Sequence, residues 1–445
     1  MGGRLKFWVT FSALAGLPAA WAPAQVAPGA PPAARPPVAQ PVAQPAARPP
    51  AIQAPAIQPP AAAAQPPAAA VPAPPVVLPP LVWHPRDAFE LLAFIQQIGS
   101  EGLDPADYDP AGLALALRSG NPLLLAQTAT DRFNRVSGDL AFGHVPRDER
   151  EGWHIPDKDL DPTRQHMLLK AALEQHRVTD ALRGLLPTHP QYRDLKNALM
   201  TTPRDQLAQI NRLRLNLDRW RWLPRDLGQK YIIVNVPAFY VALVENGVTR
   251  RRHKAIAGAI KTPTPMISAM AKGVILNPWW EVPKSIEPEV RGKRGFVPVK
   301  GKDGKVQRWR QPPGPTNALG EMKFVMPNPQ AIYLHDTNAR SRFNSQVRSL
   351  SHGCIRTQNI HDFAAEILAD DGGEWTREKI DATLASKKTV EAKFVKPVPV
   401  YIVYFSSAAS TEGKIINYED IYKRDGKVLA ALLDKRPSDR TIATR

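Results

Sequence analysis

The chain has 445 residues, a net charge of +17 at pH 7 and a single cysteine. One cysteine excludes an internal disulfide, and basic residues scattered without a nucleic-acid-binding motif argue against a nucleic-acid-binding protein. The positive charge instead favours attraction to an anionic envelope polymer or a membrane surface.

The first 24 residues have the pattern of a secretory signal peptide. Arg4 and Lys6 precede an apolar segment from Phe7 to Leu17, and Ala22-Pro23-Ala24 offers small residues for cleavage. The segment is shorter than the about 20 apolar residues of a membrane helix, so we expect no membrane span after cleavage. Retention of the segment as an anchor is the alternative. In an oxidising compartment, the single cysteine is either an intermolecular partner or a reactive thiol.

Residues 25–80 consist almost entirely of Pro, Ala, Gln and Val, with Arg35 and Arg48 as the only charged residues. This composition has too little apolar bulk for a core, so it predicts a disordered linker that favours extended polyproline II. Fully extended at about 3.1 Å per residue, it would reach on the order of 170 Å. The linker is either a tether that lets a periplasmic domain reach a distant polymer network or a disordered tail without a specific partner.

Residues 81–204 have the pattern of helices, and we expect a helical scaffold domain without catalytic residues. Apolar residues at helical spacing precede Gly99, which is a stop signal, and Asp161-Pro162 begins a further helix. The apolar residues of the first helix are Leu91, Phe94, Ile95 and Ile98, and the predicted apolar face of the second is Met167, Leu168, Ala171 and Ala172. The histidines of this region are too dispersed for a metal site.

Residues 205–435 begin with a helix near 206–221 and then change to β-branched runs. Tyr231–Val236 and Phe239–Val244 predict two strands, and Asn246-Gly247 predicts a hairpin turn after the second. Further strands are expected at 274–276 and 399–405. The pattern favours a mainly β domain from about residue 225, and residues 436–445 remain as a C-terminal tail.

The single cysteine lies in the segment Ser351-His352-Gly353-Cys354-Ile355-Arg356, and 15 residues separate Ser351 from the preceding His335. An imidazole can lower the pKa of a thiol, which makes Cys354 a candidate nucleophile. Gly353 allows a sharp turn that can direct N–H groups toward a developing oxyanion. The alternative is a buried structural cysteine.

Several separated stretches carry a resemblance, and they occur in this order: Arg219–Pro224, Asn277–Pro283, Gly314–Gly320, Tyr333–Thr337, Ser351–Cys354 and Pro397–Tyr401. Together they resemble the L,D-transpeptidase catalytic domain (the YkuD fold) in its large Gram-negative, YcbB-like branch. The likeness covers about 205–435, and the part from Trp83 resembles the scaffold domain of that branch. It implies an α+β protein with a YkuD-like β-sandwich. Arg356 stands where many members have Asn, which leaves its role open.

The resemblance implies acyl transfer through a cysteinyl thioester, without metal or ATP. Cys354 would attack the meso-diaminopimelate–D-Ala bond of a peptidoglycan tetrapeptide, and an amine of a second stem would resolve the thioester into a 3→3 cross-link. His335 would be the general base, with a pKa near 7. The N–H groups of Gly353 and Cys354 are candidate oxyanion donors, and His352 has either a secondary catalytic or a structural role.

Five further residues are candidates for substrate binding: Tyr333, Ser351, Arg356, Trp279 and Trp280. Tyr333 lies two residues before His335 and so shares its strand face. Ser351 either fixes a histidine by hydrogen bonding or forms a turn. Residues 278–320 lack clear periodicity, which in a compact domain is typical of a functional or a disordered segment. The resemblance implies that they form an insertion that caps the substrate, and their basic residues suit an anionic stem peptide. The alternative is a solvated basic loop with both tryptophans in the core.

The same thioester also allows other acceptors, which would give an L,D-carboxypeptidase, D-amino-acid exchange, or attachment or release of a wall-bound lipoprotein. A non-catalytic wall-binding scaffold is the alternative from another class. The expected partners are peptidoglycan stem peptides, as donor and acceptor, together with other cell-wall enzymes.

Overall fold

The computed structural model describes residues 81–410 and 412–435. The predicted signal peptide (1–24), linker (25–80) and C-terminal tail (436–445) lie outside the described residues. Among the described helices, none combines the length and the apolar composition that crossing a membrane requires.

Seven helices occupy the first part of the described chain. They are α1 Pro85–Gln97, α2 Pro110–Arg118, α3 Pro122–Phe142, α4 Pro162–Glu174, α5 Val178–Arg183, α6 Pro190–Thr201 and α7 Leu207–Arg221. Proline opens five of them, because the first helical position needs no N–H donor and its backbone angle suits proline. Leu91, Leu113 and Phe133 are among the buried side chains of a core that these helices build for themselves.

The helix predicted to begin after Asp161 is confirmed, since the Asp161 carboxylate accepts a hydrogen bond from the Arg164 N–H at 2.8 Å. Its predicted apolar face is wrong in part. Met167 is exposed, whereas Leu169 and Leu173 are buried against the neighbouring helices. The predicted stop of the first helix near Gly99 is also confirmed, since the α-helix ends at Gln97 with Ile98 as its C-cap, and a separate 3₁₀ turn follows over Ile98–Glu101.

Fourteen strands follow in the described part of the chain. They are β1 Lys230–Asn235, β2 Tyr240–Glu245, β3 Val248–Gly258, β4 Ile267–Leu276, β5 Trp280–Glu281, β6 Val297–Lys300, β7 Val306–Gln311, β8 Met322–Val325, β9 Leu334–His335, β10 Ser349–Ser351, β11 Ile355–Thr357, β12 Val390–Val403, β13 Ser407–Ala409 and β14 Ile415–Asn417. Four helices lie among them: α8 Glu287–Val290, α9 Ile360–Ala369, α10 Arg377–Ala385 and α11 Asp425–Leu433.

Nine strands form one sheet in the order β10-β3-β11-β9-β8-β4-β12-β1-β2, and β3 also pairs with β2, so that the sheet closes on itself. The strands predicted at 231–236 and 239–244 are confirmed as β1 and β2. The predicted turn is confirmed as well: Asn246 (φ 50°) and Gly247 (φ 76°) both take the left-handed conformation that a tight hairpin requires.

Helix α7 joins the helical part to the sheet. Trp220 stacks between His189, at a ring distance of 4.4 Å, and Phe405, at 4.8 Å. Arg219 is buried and forms an ion pair of 2.8 Å with Asp425 at the start of α11. The Arg-Trp motif in this helix therefore contributes to packing, at a distance in sequence from the predicted nucleophile.

The insertion at 278–320 is more regular than its sequence indicates. Strands β5, β7 and β6 form a small separate sheet, and α8 packs on it. Val282, Ile286 and Val290 form a core of its own, with Trp280 and Trp309 packed against it. The strands are short and mostly exposed, so they carry no alternation that sequence periodicity could detect.

Candidate active site

The loop that carries Cys354 connects β10 to β11 in three residues. Gly353 has φ +111°, a conformation that L side chains rarely adopt, and a Cβ atom there would meet Ile332 Cδ1 at 3.3 Å. The Ser351 hydroxyl accepts a hydrogen bond from the Gly353 N–H at 3.1 Å and donates one to the Cys354 carbonyl at 2.6 Å. Glycine and serine together turn the chain tightly, and the Cys354 side chain emerges half-buried.

Strand pairing brings the residues of three strands beside this loop. On β9, Leu334 lies opposite Ile355 of β11, and His335 lies opposite Arg356. On the other side of β9, His335 lies opposite Lys323 of β8. Because side chains alternate between the faces of a strand, Tyr333 and His335 share a face, with ring centres 5.6 Å apart. The sheet thus groups Lys323, Tyr333, His335 and Arg356 on the strands beside the Cys354 loop.

His335 is buried, and its Nδ1 atom has no hydrogen-bond partner among the described residues. Burial, aided by the positive charge of Arg356, lowers the pKa of His335 to about 3. The expectation of a pKa near 7 is therefore wrong, because sequence gave no measure of this burial. A neutral imidazole still has the lone pair needed to accept a proton.

The Cys354 thiol donates to the Ala331 carbonyl at 3.8 Å, and it makes no hydrogen bond to His335 in this state. Burial raises the pKa of the Cys354 thiol, while hydrogen bonding from Tyr333 and the positive charges of Lys323 and Arg356 act in the opposite direction. The resting side chain is accordingly a thiol, and a thiolate forms only when a base takes its proton.

Lys323 is a residue of this cluster that our sequence reasoning missed. Its Nζ atom lies 4.0 Å from the centre of the Tyr333 ring, a cation–π arrangement, and burial lowers its pKa. The alternation of β8, with Met322 and Phe324 buried, shows that Lys323 faces away from the core. Only the register between β8 and β9 places it beside His335.

An open groove runs along this edge of the sheet, lined by Lys323, Met326, Ala331 and Tyr333 among others. Ala331, one of the lining residues, accepts the hydrogen bond of the Cys354 thiol, so the groove lies next to the thiol. A larger cavity between α6 and the β1–β2 strands includes none of the cluster residues. The groove is therefore a candidate path by which a substrate approaches the thiol.

Two family models match this chain. Residues 229–398 match the L,D-transpeptidase catalytic domain, and residues 80–199 match the scaffold domain. The β domain belongs to the L,D-transpeptidase family. A Haemophilus influenzae protein described as a "putative L,D-transpeptidase" is 29% identical over 286 residues, which are 58% of this chain and 57% of that protein. The chain thus spans little more than half the length of this curated relative.

Solved structures of the family show a low overall similarity. The L,D-transpeptidase from Mycobacterium smegmatis is 15% identical, with a TM-score of 0.22, and the match covers 39% of this chain and 58% of that one. L,D-transpeptidase 1 of Mycobacterium tuberculosis is 16% identical, with a TM-score of 0.20, over 39% of this chain and 61% of that one.

His352 of the transpeptidase domain points away from the thiol. Its side chain is exposed, and Nε2 lies 3.1 Å from the Glu289 carboxylate on α8 of the insertion. This contact gives the secondary catalytic role no support, and it links the Cys354 loop to the insertion instead. Gly353 is also a poor oxyanion donor, because its N–H is already donated to Ser351. The Cys354 N–H has no partner among the described residues.

Ser351 forms a turn, and its hydroxyl makes hydrogen bonds within its own loop and to neither histidine. A direct role in substrate binding is therefore unsupported. The two tryptophans lie in the insertion and not in the core of the main sheet. Trp279 is covered by Arg310, whose guanidinium lies 4.2 Å from its ring centre. Trp280 packs against the core of the insertion. Burial raises the pKa of Tyr333, and Trp280 is among the residues that act against this shift.

Asp336 supports the end of β9. Its carboxylate accepts hydrogen bonds from the Glu321 N–H at 3.0 Å and from Arg340 at 2.7 Å. Glu321, Asp336 and His361 lie close enough to hold a metal ion. However, Arg340 lies 3.2 Å from Glu321 as well, and Lys387 lies 3.5 Å from it, so the protein's own cations already balance these carboxylates.

Proposed function

We propose that this chain is a periplasmic L,D-transpeptidase that forms 3→3 peptidoglycan cross-links through a Cys354 thioester. The observation that carries the proposal is the half-buried thiol on a glycine turn, next to a groove and two residues before Arg356, the strand partner of the neutral, buried His335. A thiol paired with a neutral base suits attack on an amide carbonyl. Export to the periplasm rests on the predicted signal peptide.

In the acylation half-reaction, His335 accepts the thiol proton and the sulfur attacks the carbonyl of the meso-diaminopimelate–D-Ala amide. The N–H of Cys354 donates a hydrogen bond to the oxyanion. One such donor stabilises the transition state by about 3 kcal/mol. When the C–N bond breaks, His335 returns the proton to the departing D-Ala amine. The product of this step is a thioester on Cys354.

In the second half-reaction, the side-chain amine of an acceptor stem attacks the thioester carbonyl. His335 takes a proton from that amine, and the proton passes to the sulfur as the C–S bond breaks. The free thiol is restored, and the new amide joins two diaminopimelate residues. No step requires a redox change, a metal or a nucleotide.

We further propose that the insertion at 278–320 caps the bound stem. The proposal is supported by a contact with the Cys354 loop, in which the Glu289 carboxylate of α8 lies 3.1 Å from His352 Nε2. Eight basic residues of the insertion are exposed, namely Lys284, Arg291, Lys293, Arg294, Lys300, Lys302, Lys305 and Arg308. Their charge suits the carboxylates of stem peptides.

The test is incubation of the purified chain with a disaccharide tetrapeptide, followed by mass spectrometry of the intact protein and of the products. We expect an adduct on Cys354 with loss of D-Ala, and a dimer whose fragments locate the bond between two diaminopimelates. Cys354→Ser is the matched control and should give no dimer. Free tripeptide as the only product would indicate a carboxypeptidase, and absence of any adduct would favour a non-catalytic scaffold.

A further inference from the structure

Two positive charges lie beside Cys354 without a carboxylate partner. Neither Lys323 nor Arg356 forms an ion pair with any described residue, although both side chains are partly buried. Arg340, close by, shows the usual arrangement, because it pairs with Glu321 and Asp336. Taking a charge out of water is costly unless an opposite charge compensates it. The two unpaired cations are therefore an unusual feature of this site.

The sheet fixes where these cations stand. Lys323 on β8 and Arg356 on β11 lie opposite His335 from its two sides. Lys323 is held over the Tyr333 ring at 4.0 Å, and Arg356 has a buried Nε atom without a hydrogen-bond partner. Burial lowers the pKa of Lys323, and Glu281 is the carboxylate that opposes this shift. Glu281 already forms an ion pair of 3.0 Å with Arg308.

We propose that Lys323 and Arg356 form a binding site for a carboxylate that follows the scissile amide by one residue. The inference rests on the proposed function and deepens it, because it makes the free C-terminal carboxylate of the donor a requirement. One residue advances a chain by at most about 3.6 Å. The carboxylate of a single departing residue must therefore lie beside the thiol, where these two side chains stand, and not under the distant part of the insertion.

The site selects among donors by charge. A donor that ends one residue after the attacked carbonyl brings its carboxylate between the ammonium and the guanidinium, which donate charge-assisted hydrogen bonds. A donor extended by a further residue, or capped as an amide, leaves both cations unpaired in a partly buried site. The departing residue takes its carboxylate with it, so the site is free again before the acceptor reacts.

The experiment compares two donors on the full-length chain: L-Ala-γ-D-Glu-meso-diaminopimelate-D-Ala and the same peptide with a C-terminal carboxamide. Release of D-Ala or D-alaninamide is measured, and kcat/KM is taken for each donor. We expect the kcat/KM of the wild-type chain to be on the order of 100-fold higher for the free-carboxylate donor, because the carboxamide donor cannot form the charged hydrogen bonds with the two cations. Lys323→Met should reduce this preference to less than about tenfold, mainly through a higher KM for the free acid, and Lys323→Arg should restore part of it.

Lys272→Met is the matched control, since Lys272 is an exposed lysine on the neighbouring strand β4 and should leave the preference at its wild-type value. The rate of alkylation by neutral iodoacetamide separates carboxylate binding from activation of the thiol. If Lys323→Met slows alkylation and lowers kcat for both donors equally, Lys323 acts on the sulfur and the inference is overturned. Equal use of both donors by the wild-type chain also overturns it, while the proposed function stands. If neither donor acylates Cys354, the proposed function fails and the inference fails with it.

Discussion

The low pKa of His335 leads to a specific prediction about acylation in mild acid. An imidazole with the ordinary pKa of about 6.5 is only about one-tenth neutral at pH 5.5, so a base of that kind would lose about tenfold in rate between pH 7.5 and pH 5.5. Burial and the charge of Arg356 lower the pKa of His335 to about 3, and the base then stays neutral throughout this range. We expect the rate to change by less than about twofold.

The assay is the second-order acylation of Cys354 by a carbapenem, followed by intact mass between pH 4.5 and pH 8 at constant ionic strength. A carbapenem isolates the first half-reaction, so titration of the acceptor amine does not contribute. His335→Gln, which keeps a polar side chain but cannot act as a base, should slow acylation at least 100-fold at every pH. A titration with a midpoint near 6.5 in the wild-type chain would refute the reasoning, because it would require a solvated imidazole.

Arg356 gives the same prediction a second test. Its positive charge is the second cause of the lowered pKa of His335, after burial. Arg356→Met removes that charge, so the pKa of His335 should rise while burial keeps it below the ordinary value. The loss of acylation in acid should then begin at a higher pH than in the wild-type chain. An unchanged or lower midpoint would contradict the electrostatic argument.

Three further predictions concern the loop, the insertion and the packing. Gly353→Ala strains a backbone at φ +111°, so it should cost roughly 1–3 kcal/mol in urea unfolding and slow carbapenem acylation at least tenfold. Glu289→Gln removes an exposed partner of His352, so the free energy of unfolding should change by less than about 1 kcal/mol while the donor KM rises a few-fold. Trp220→Ala should destabilise the fold by about 3–5 kcal/mol in the same unfolding assay, whereas Trp279→Ala, at a partly exposed ring, should cost far less.

The features that sequence predicted are those encoded locally. Asn246-Gly247 specifies a hairpin by its backbone preference alone, and the structure contains it. Gly353 similarly indicated a sharp turn before Cys354. The pairing of Cys354 with His335 came from the resemblance to a family, and the register of β9 with β11 is the physical basis of their proximity.

The features that sequence missed depend on register and burial. The residues around Lys323 in the sequence do not distinguish it from the other lysines. Only the pairing of β8 with β9 places it beside His335. The pKa of His335 depends on how deeply the fold buries its side chain, and the extent of this burial cannot be predicted from a sequence motif. Likewise, His352 lies only two residues before Cys354, yet its ring contacts Glu289, because the chain turns sharply at Gly353 (φ +111°) between them.

The protonation state of the resting site also bears on how a lone cysteine would resist oxidation in the compartment that the predicted signal peptide implies. Thiolates, not thiols, are the species that oxidants and disulfides attack. Burial raises the pKa of Cys354 and lowers that of His335, so the neutral pair is favoured over an ion pair before the substrate binds. Charge would then develop on sulfur only when the scissile carbonyl is in place. If a substitution such as Tyr333→Phe removed hydrogen bonding to the thiol, the pKa of Cys354 should rise further, and both acylation and oxidation by peroxide should slow together.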